Sequence, residues 1–396
     1  SNKLYFNHYD DDRRVTFSNS AAASLNNLPR QRRVWDEDQT GLMSTATWRA
    51  SDALTVDGGI QIERQKNLYQ RYRYAFAVPT QFSNPTHTSN DDRYTLNNVG
   101  VYAQAIFKAT DKLKIIPGLR LDKFSGHTTL SPSGATGALQ DYGWIKQPKL
   151  SMVYSVNDAT SVYANWGRTF QILTGSRAPA YITSANQATF APSINTGTEL
   201  GVKFKPHPRT DLRVAVWQQD ATDEVANMPS TGTNVSLGET RRKGIDLQAS
   251  TRIGSAITLW ASHSVQEAKV RRAFTASGTS LAGKEVFSTP RHITNAGVDY
   301  HATEALRLGL QARAQGSYFI DDLNAQGKFG DFVLVDFNAR YALTKAVSVD
   351  LQVKNLTNRK FAYVWWDNFF WPAGSAQPMY SPGAGRSAFV SLNVKW

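Results

Sequence analysis

Strict alternation of apolar and polar side chains constrains the fold of this chain more than any other feature of its sequence. In Arg386–Trp396 one face of an extended strand carries only apolar side chains, because successive side chains point to opposite sides; these are Ala388, Val390, Leu392, Val394 and Trp396. The other face is polar except for Phe389. A strand of this kind that ends on an aromatic residue is typical of the closing strand of an outer-membrane β-barrel.

The same period of two recurs along the chain. Over Leu54–Glu63 apolar and polar residues alternate for about ten residues, which is the length that a tilted membrane strand requires. Over Leu306–Gln315 the polar face carries two arginines and two glutamines. That face cannot lie in a buried protein core, because each guanidinium needs partners or water. One face is therefore predicted to meet lipid and the other to meet water.

The connections between these strands alternate between short turns and long loops. We predict about sixteen antiparallel strands in an all-β fold, a transmembrane antiparallel β-barrel. The short turns include Ala50–Ala53 and Thr110–Lys112, whereas roughly Tyr72–Asp92 and Val364–Tyr380 are predicted as long loops. Outer-membrane barrels have short periplasmic turns and long extracellular loops, so this phasing places both chain ends at the periplasmic rim.

Composition narrows the classes of protein to which the chain could belong. No apolar run of about 18 residues exists, which excludes a helical membrane protein. Aromatic residues make up 11% of the chain, as expected where aromatic belts lie at membrane interfaces. A soluble propeller or sandwich would also contain many alternating strands. The polar second face and the loop alternation favour the membrane barrel.

Several stretches resemble the C-terminal part of TonB-dependent outer-membrane receptors. They cover about the last 250 residues and are Pro148–Leu150, Val162–Phe170, Thr198–Lys203, Arg242–Leu247, Pro290–His292 and Val353–Phe361, with the aromatic terminus. The resemblance implies a barrel of about 22 strands preceded by a globular plug that contacts TonB. With about sixteen strands and no plug in view, we expect residues 1–396 to be a β-barrel domain fragment that lacks the plug and the first strands. Its last strand would close the complete barrel against a strand that is absent here.

The resemblance also implies function and partners. We expect a monomeric receptor in the bacterial outer membrane for energised uptake of a scarce solute, most commonly a ferric siderophore or other metal chelate. Its expected partners are the TonB complex, lipopolysaccharide and outer-membrane lipid, and the barrel assembly machinery. The alternatives are a passive porin of about sixteen strands and, less favoured, a soluble β-rich binding module.

Aromatic and basic residues near the predicted loops are the candidate ligand-binding groups. Aromatic rings supply contact area for a flat organic ligand, and arginines can grip an anionic one. The candidates are Tyr69, Arg71, Tyr72, Arg73, Tyr74, Arg168, Trp365, Trp366, Phe369, Phe370 and Trp371. An interfacial aromatic girdle explains most of the same residues equally well, with the nearby arginines bound to lipid phosphates.

Basic clusters at predicted outer strand ends account for part of the net charge of +12. Neutralisation of lipopolysaccharide phosphates is the preferred interpretation, for Arg32, Arg33, Arg241, Arg242, Lys243, Arg271 and Arg272. Nucleic-acid binding is disfavoured, because these residues ring a rim instead of following one face.

Catalysis and metal binding have no support in the sequence. The chain has no cysteine, and its seven histidines lack metal-ligand spacing. No nucleophile–base pair stands out, so we expect neither an enzyme nor a cofactor or metal site.

Overall fold

The computed structural model is all-β. It describes residues 1–16, 30–74, 85–173, 181–183, 191–228, 233–275, 277–367 and 377–395. Among them, no helix is long and apolar enough to cross a membrane. The first half contains β1 (Asn2–Thr16), β2 (Arg30–Arg49), β3 (Leu54–Tyr74), β4 (Pro85–Lys108), β5 (Leu113–Thr129), β6 (Thr136–Leu139), β7 (Ile145–Ser155), β8 (Thr160–Gln171), β9 (Tyr181–Thr183), β10 (Ser193–His207) and β11 (Thr210–Met228).

The second half continues in the same way, with β12 (Thr233–Ile253), β13 (Ile257–Arg272), β14 (His292–His301), β15 (Leu306–Gln315), β16 (Tyr318–Phe319), β17 (Lys328–Phe329), β18 (Phe332–Ala342), β19 (Val347–Lys354), β20 (Ala362–Asp367), β21 (Gln377–Pro382) and β22 (Ser387–Val394). Sixteen of the described strands have eight residues or more, which confirms the predicted number. The six shorter strands lie between these longer ones.

The chain forms two compact units. The first comprises Ser1–Ser151 and Trp166–Thr196, and the second comprises Met152–Asn165, Gly197–Asn368 and Ala376–Trp396. In the first unit β1 to β5 pair in sequence order as an antiparallel meander. In the second unit β11 to β15 pair in the same way and continue through β18 and β19 to β22.

Four of the short turns share one chemistry. Ser51, Thr110, Thr303 and Thr344 each accept hydrogen bonds at the side-chain oxygen from the backbone N–H groups two and three residues later. A hydroxyl at this position mimics a backbone turn and so reverses the chain within a few residues. Four short turns are therefore specified locally by a serine or threonine, and Asn157 has an equivalent role between β7 and β8.

The two faces of the strands differ as the alternation predicts. On one face, called here the outer face, large apolar side chains such as Ile62, Val216 and Ile245 remain 46–47% exposed. On the other, the inner face, polar groups bind one another: Arg120 donates to Asp122 at 2.7 Å and to Gln61 at 3.0 Å. An apolar face of this extent, left exposed by the protein, is suited to lipid.

Aromatic rings on the inner face lie across glycines of the neighbouring strand. The pairs are Tyr5–Gly41, Tyr102–Gly59, Tyr163–Gly201, Trp217–Gly244 and Trp260–Gly297. A glycine leaves room for the ring to lie flat against the adjacent backbone, and the ring covers backbone that the glycine would expose. This pairing ties neighbouring strands together on the inner face.

Two predicted loop boundaries are wrong. The region from Tyr72 to Asp92 is not wholly a loop, because β3 extends to Tyr74 and β4 starts at Pro85. Likewise Val364–Tyr380 overlaps the strands β20 and β21, which pair as a hairpin. At the ends of β3 and β4 the strands extend beyond the apolar band, where polar side chains on both faces remove the alternation that marks a strand.

We expect Gly244→Val to destabilise the folded protein by about 1–3 kcal/mol, the usual cost of overpacking. A Cβ at Gly244 would lie 2.6 Å from the Val265 backbone oxygen and 2.7 Å from the Trp217 ring, so one of them must move. The matched control is Gly197→Val, where a Cβ meets nothing within 4 Å. Thermal unfolding in detergent measures both, and equal melting temperatures for the two variants would contradict the assigned ring–glycine packing.

Candidate functional site

Three arginines lie side by side on the inner face of the first unit. Arg13 of β1 is directly opposite Arg33 of β2, and Arg33 is directly opposite Arg71 of β3. Directly opposed residues of antiparallel strands project from the same face. The face is the inner one, since Tyr5 and Glu63 have the same parity on these strands and are hydrogen-bonded at 2.6 Å. These three residues are called the arginine row.

An aromatic pair lies two residues closer to the short turns. Trp35 is opposite Tyr69, with ring centroids 5.0 Å apart and planes inclined by 35°. The Arg13 guanidinium lies over the Trp35 ring at 5.1 Å, and the Arg13 side chain also pairs with Asp11 at 2.6 Å. Charge and aromatic surface therefore meet at the loop end of the inner face, as a planar anionic ligand would require.

Strand parity divides the predicted group on β3 between the two faces. Tyr69, Arg71 and Arg73 are on the inner face, whereas Tyr72 and Tyr74 are on the outer face. Tyr72 lies under the Arg32 guanidinium at 5.9 Å, and Tyr74 is buried. The structure thus brings together only part of the group that the sequence singled out. Trp35 and Arg13 were missed, because the register that brings them to Tyr69 is not visible in one sequence.

The basic clusters are divided in the same way. Arg32 is on the outer face and binds Asp12 through two hydrogen bonds of 2.9 and 3.0 Å, whereas Arg33 is on the inner face. Arg241 and Lys243 share the outer face with Ile245, and Arg242 points inward and forms a bidentate pair with Glu224 at 2.7 and 2.9 Å. The predicted placement of these three at a strand end is wrong, since β12 begins at Thr233.

The outer-face members of these clusters have acidic neighbours. Arg241 binds Asp220 at 2.5 Å, and Lys243 lies 3.8 Å from Glu267. Hydrogen bonds from Arg241 hold the pKa of the Asp220 carboxyl below its ordinary value. Arg271 and Arg272 are exposed at the end of β13, where Arg272 pairs with Glu239. The outer face therefore carries a belt of mixed charge just beyond its apolar band.

The tryptophan-rich segment is only partly described. Trp366 packs against the buried cluster of Tyr318, Ile320 and Val364, so its main role is structural. Trp365 is 38% exposed. The other three predicted members, Phe369, Phe370 and Trp371, lie outside the described residues.

A folded loop covers part of the inner face of the first unit. β6 pairs with β5, and β9 pairs with β6, which buries Tyr181 almost completely against Leu96 and Leu139. The Tyr181 hydroxyl donates to the Thr95 carbonyl oxygen at 3.0 Å. Burial, followed by the nearby Tyr94 and Tyr142, raises the pKa of Tyr181 far above its ordinary value. Arg168 is exposed at the end of β8, beside Phe170, whose ring contacts Phe124 edge-on at 5.6 Å.

One set of possible metal ligands occurs in the described part of the chain. His8, Asp36 and Asp38 are exposed or half-buried on the outer face, with ligand atoms within 4.8 Å of one another. Register brings them together, as His8 is opposite Asp38 and its Nδ1 lies 3.0 Å from a carboxylate oxygen. Sequence spacing gave no sign of this set.

Tyr181 is expected to titrate later than an exposed tyrosine. Because its pKa in the folded protein is raised above that of the unfolded chain, the stabilisation from the neutral hydroxyl is fully present below the unfolded pKa and is lost as pH rises from there through the folded pKa. In a pH titration followed by tyrosinate absorbance, the curve of the Tyr181→Phe variant should differ from that of the wild-type protein only at the most alkaline pH values, where the absorbance change of one tyrosine is missing. Loss of an early-titrating group would contradict the burial. Tyr380→Phe, which removes the hydroxyl of an exposed ring, is the control.

Comparison with known proteins agrees with this architecture. The chain matches the family described as TonB dependent receptor-like, beta-barrel, over residues 1–356. It is 24% identical over 348 residues to the ferrichrome outer membrane transporter/phage receptor of Escherichia coli K12, covering 81% of this chain and 44% of that protein. It is 22% identical over 320 residues to the ferrioxamine B receptor of Salmonella typhimurium, covering 76% and 43%.

Solved structures share the fold. The unliganded ferric citrate transporter FecA superposes with a TM-score of 0.78 at 17% identity, covering 100% of this chain and 59% of that one. The siderophore receptor PiuA of Acinetobacter baumannii gives a TM-score of 0.74 at 16% identity, with coverage of 100% and 62%. The chain spans less than half the length of the two curated relatives above. Its alternating strands and the match over residues 1–356 together show that it belongs to the TonB-dependent receptor β-barrel family.

Proposed function

We propose that the full-length protein is an outer-membrane receptor that imports a metal chelate, with a ferric siderophore as the substrate class. The observation that carries the proposal is the cluster of arginines and aromatic rings on the inner face at the loop end, in a chain of this family. The relatives named above are receptors and transporters for ferrichrome and ferrioxamine B. These names support uptake over a passive porin and over an enzyme.

In the proposed mechanism the two ends of the strands have different roles. Ligand first contacts inner-face groups at the loop end, including Tyr69, Arg71 and Arg73, with Arg168 and Trp365 as further candidates. Contact with the TonB complex, through a plug of the kind that the family resemblance implies, supplies the force that opens a path. Residues 1–396 form the β-barrel portion, with both chain ends on the periplasmic side together with the short turns.

Charged residues on the outer face are proposed to position the protein in the outer membrane. Arg32, Arg241, Lys243 and Arg271 would meet lipopolysaccharide phosphates just beyond the apolar band, and the mixed belt described above would set the depth of the protein in the outer leaflet. Arg33 and Arg242 are less suited to this role, because both point inward. Arg272 is exposed and pairs with Glu239, as Arg32 and Arg241 pair with Asp12 and Asp220.

The last strand is proposed to guide assembly. β22 pairs with β19 and presents Val390 and Leu392 at 73% and 65% exposure on its apolar face. Ala388 and Val394 continue that face; Trp396 lies outside the described residues. An exposed alternating C-terminal strand suits recognition by the barrel assembly machinery, and the product is proposed to be a monomer.

Growth under iron limitation tests the proposed function. A strain that lacks its own chelate receptors and expresses the full-length protein should grow on one or more ferric chelates, and deletion of TonB should abolish that growth. Ion conductance of the purified protein in a planar bilayer is the complementary measurement. Steady conductance without TonB, together with growth that persists after TonB is deleted, would favour the porin and contradict the receptor.

A further inference from the structure

Three side chains of the metal-binding kind meet on the outer face of the first unit, apart from the arginine row. His8 of β1 is directly opposite Asp38 of β2, and Asp36 lies two residues nearer the loop end on the same face. One ligand atom from each side chain lies within 4.8 Å of the other two. These three residues are called the histidine–aspartate cluster. Its members come from two strands, so the strand register, and not sequence spacing, brings them together.

The histidine–aspartate cluster lies between the apolar band and the loop end of the strands. On β1 the outer face carries first Leu4 and Phe6 and then His8, in the direction of the loop end. The side chains of His8 and Asp38 are 47% and 46% exposed. Ligand groups in this position are open to water, so an ion reaches them without crossing the apolar band.

Negative charge around this cluster lacks a close cationic partner. Asp10 is directly opposite Asp36, and like charges in that arrangement destabilise a sheet. In the part of the chain that the structure describes, no lysine or arginine nitrogen lies within 4.0 Å of a carboxylate oxygen of Asp10, Asp36 or Asp38. Asp12, the next outer-face residue of β1, differs, because an arginine binds it at 2.9 Å. A bound cation would supply the positive charge that this part of the outer face lacks.

The donor atoms favour a divalent transition metal over an alkaline-earth ion. Imidazole nitrogen is a ligand for Zn²⁺, Ni²⁺ and Cu²⁺, whereas Ca²⁺ and Mg²⁺ take oxygen ligands. His8 Nδ1 lies 3.0 Å from an Asp38 carboxylate oxygen. Two ligand atoms of a tetrahedral Zn²⁺ with bonds of about 2 Å are roughly 3.3 Å apart, so this pair can hold one ion with little movement. Three protein ligands leave the fourth position of such an ion open.

We propose that His8, Asp36 and Asp38 bind Zn²⁺, or a divalent transition metal of the same class, and that a phosphate oxygen of the surrounding lipopolysaccharide fills its open position. Carboxylates at this height repel an anionic lipid, and a bound cation reverses the sign of that interaction. The lipid step rests on the proposed contact between the outer face and lipopolysaccharide. The metal site itself is independent of that contact and of chelate uptake.

Metal binding by the full-length receptor, purified without a histidine tag, tests the site. The protein is stripped with a chelator, dialysed and titrated with Co²⁺, which accepts the same ligands as Zn²⁺ and reports four-coordinate binding by its visible absorption. We expect His8→Ala, and separately Asp36→Asn combined with Asp38→Asn, to lose one equivalent of bound ion relative to the wild-type protein. His301→Ala is the matched control, because His301 is exposed at the end of β14 and belongs to no set of metal ligands among the described residues. It should keep the wild-type stoichiometry.

Lys66→Gln should change the affinity in the opposite direction. Lys66 is directly opposite Asp38 on β3, on the side away from His8, so its positive charge opposes a bound cation. Removing that charge should tighten Co²⁺ binding by about three- to tenfold at low salt, and added salt should reduce the difference. Unchanged or weaker binding by this variant would contradict the placement of the ion beside Asp38.

The lipid step is tested by lipopolysaccharide binding to the receptor in detergent. Binding should weaken when the metal is stripped and in His8→Ala, whereas dephosphorylated lipopolysaccharide should show neither difference. Lipopolysaccharide binding that is insensitive to the metal overturns the lipid step and leaves the metal site standing. Displacement of the lipid by inorganic phosphate at equal concentration identifies free phosphate as the occupant and also overturns the lipid assignment.

Two results overturn the metal site itself. The first is full Co²⁺ stoichiometry in both His8→Ala and the double aspartate variant, with outer-membrane level and heat-modifiable migration showing that each folds. The second is binding of Ca²⁺ or Mg²⁺ as tight as that of Zn²⁺ and unaffected by His8→Ala, which would exclude the imidazole as a ligand. Neither result bears on chelate uptake, because growth on ferric chelates is measured separately.

Discussion

Hydrogen bonding between neighbouring strands is the constraint on which the rest of this structure depends. In hydrocarbon no water can satisfy backbone N–H and C=O groups, so each strand must pair with its neighbours along its length. Such pairing fixes an extended backbone, and an extended backbone sends successive side chains to opposite faces. For this reason Ile62 and Gln61, although adjacent in sequence, lie on opposite faces. Ile62 is exposed on the outer face, whereas Gln61 is hydrogen-bonded on the inner face.

The same register builds the candidate site. Arg13, Arg33 and Arg71 are far apart in sequence, and only the pairing of β1, β2 and β3 places them in one row. A shift of one residue in either register would move one arginine to the outer face. The ring–glycine pairs on the inner face, such as Trp217 with Gly244, favour the observed register because a side chain larger than hydrogen would collide with the ring. Ring–glycine packing on the inner face, as between Tyr5 and Gly41, thus stabilises the strand register that forms the arginine row.

Much of the fold could be predicted from the sequence, because alternation and turn chemistry are local. Ser51 and Thr110 specify their turns through hydrogen bonds to residues no more than three positions away. The apolar face of β3 can be recognised in the sequence from Leu54 to Ile62. Strand ends beyond the apolar band were not predictable, because polar residues such as Arg71 and Tyr72 carry no alternation there. Of the site, Tyr69, Arg71 and Arg73 were found by residue type. Their partners Trp35 and Arg13 depend on a long-range register that one sequence does not reveal.

The central claim is that adjacent residues of one strand face lipid and water in turn, and a cysteine scan tests it most directly. The chain has no cysteine, so single replacements at Ile60, Gln61, Ile62 and Glu63 report one position each. In outer-membrane vesicles opened to both sides, a membrane-impermeant maleimide should label the positions of Gln61 and Glu63 rapidly and those of Ile60 and Ile62 hardly at all. Equal labelling at all four positions would contradict the account.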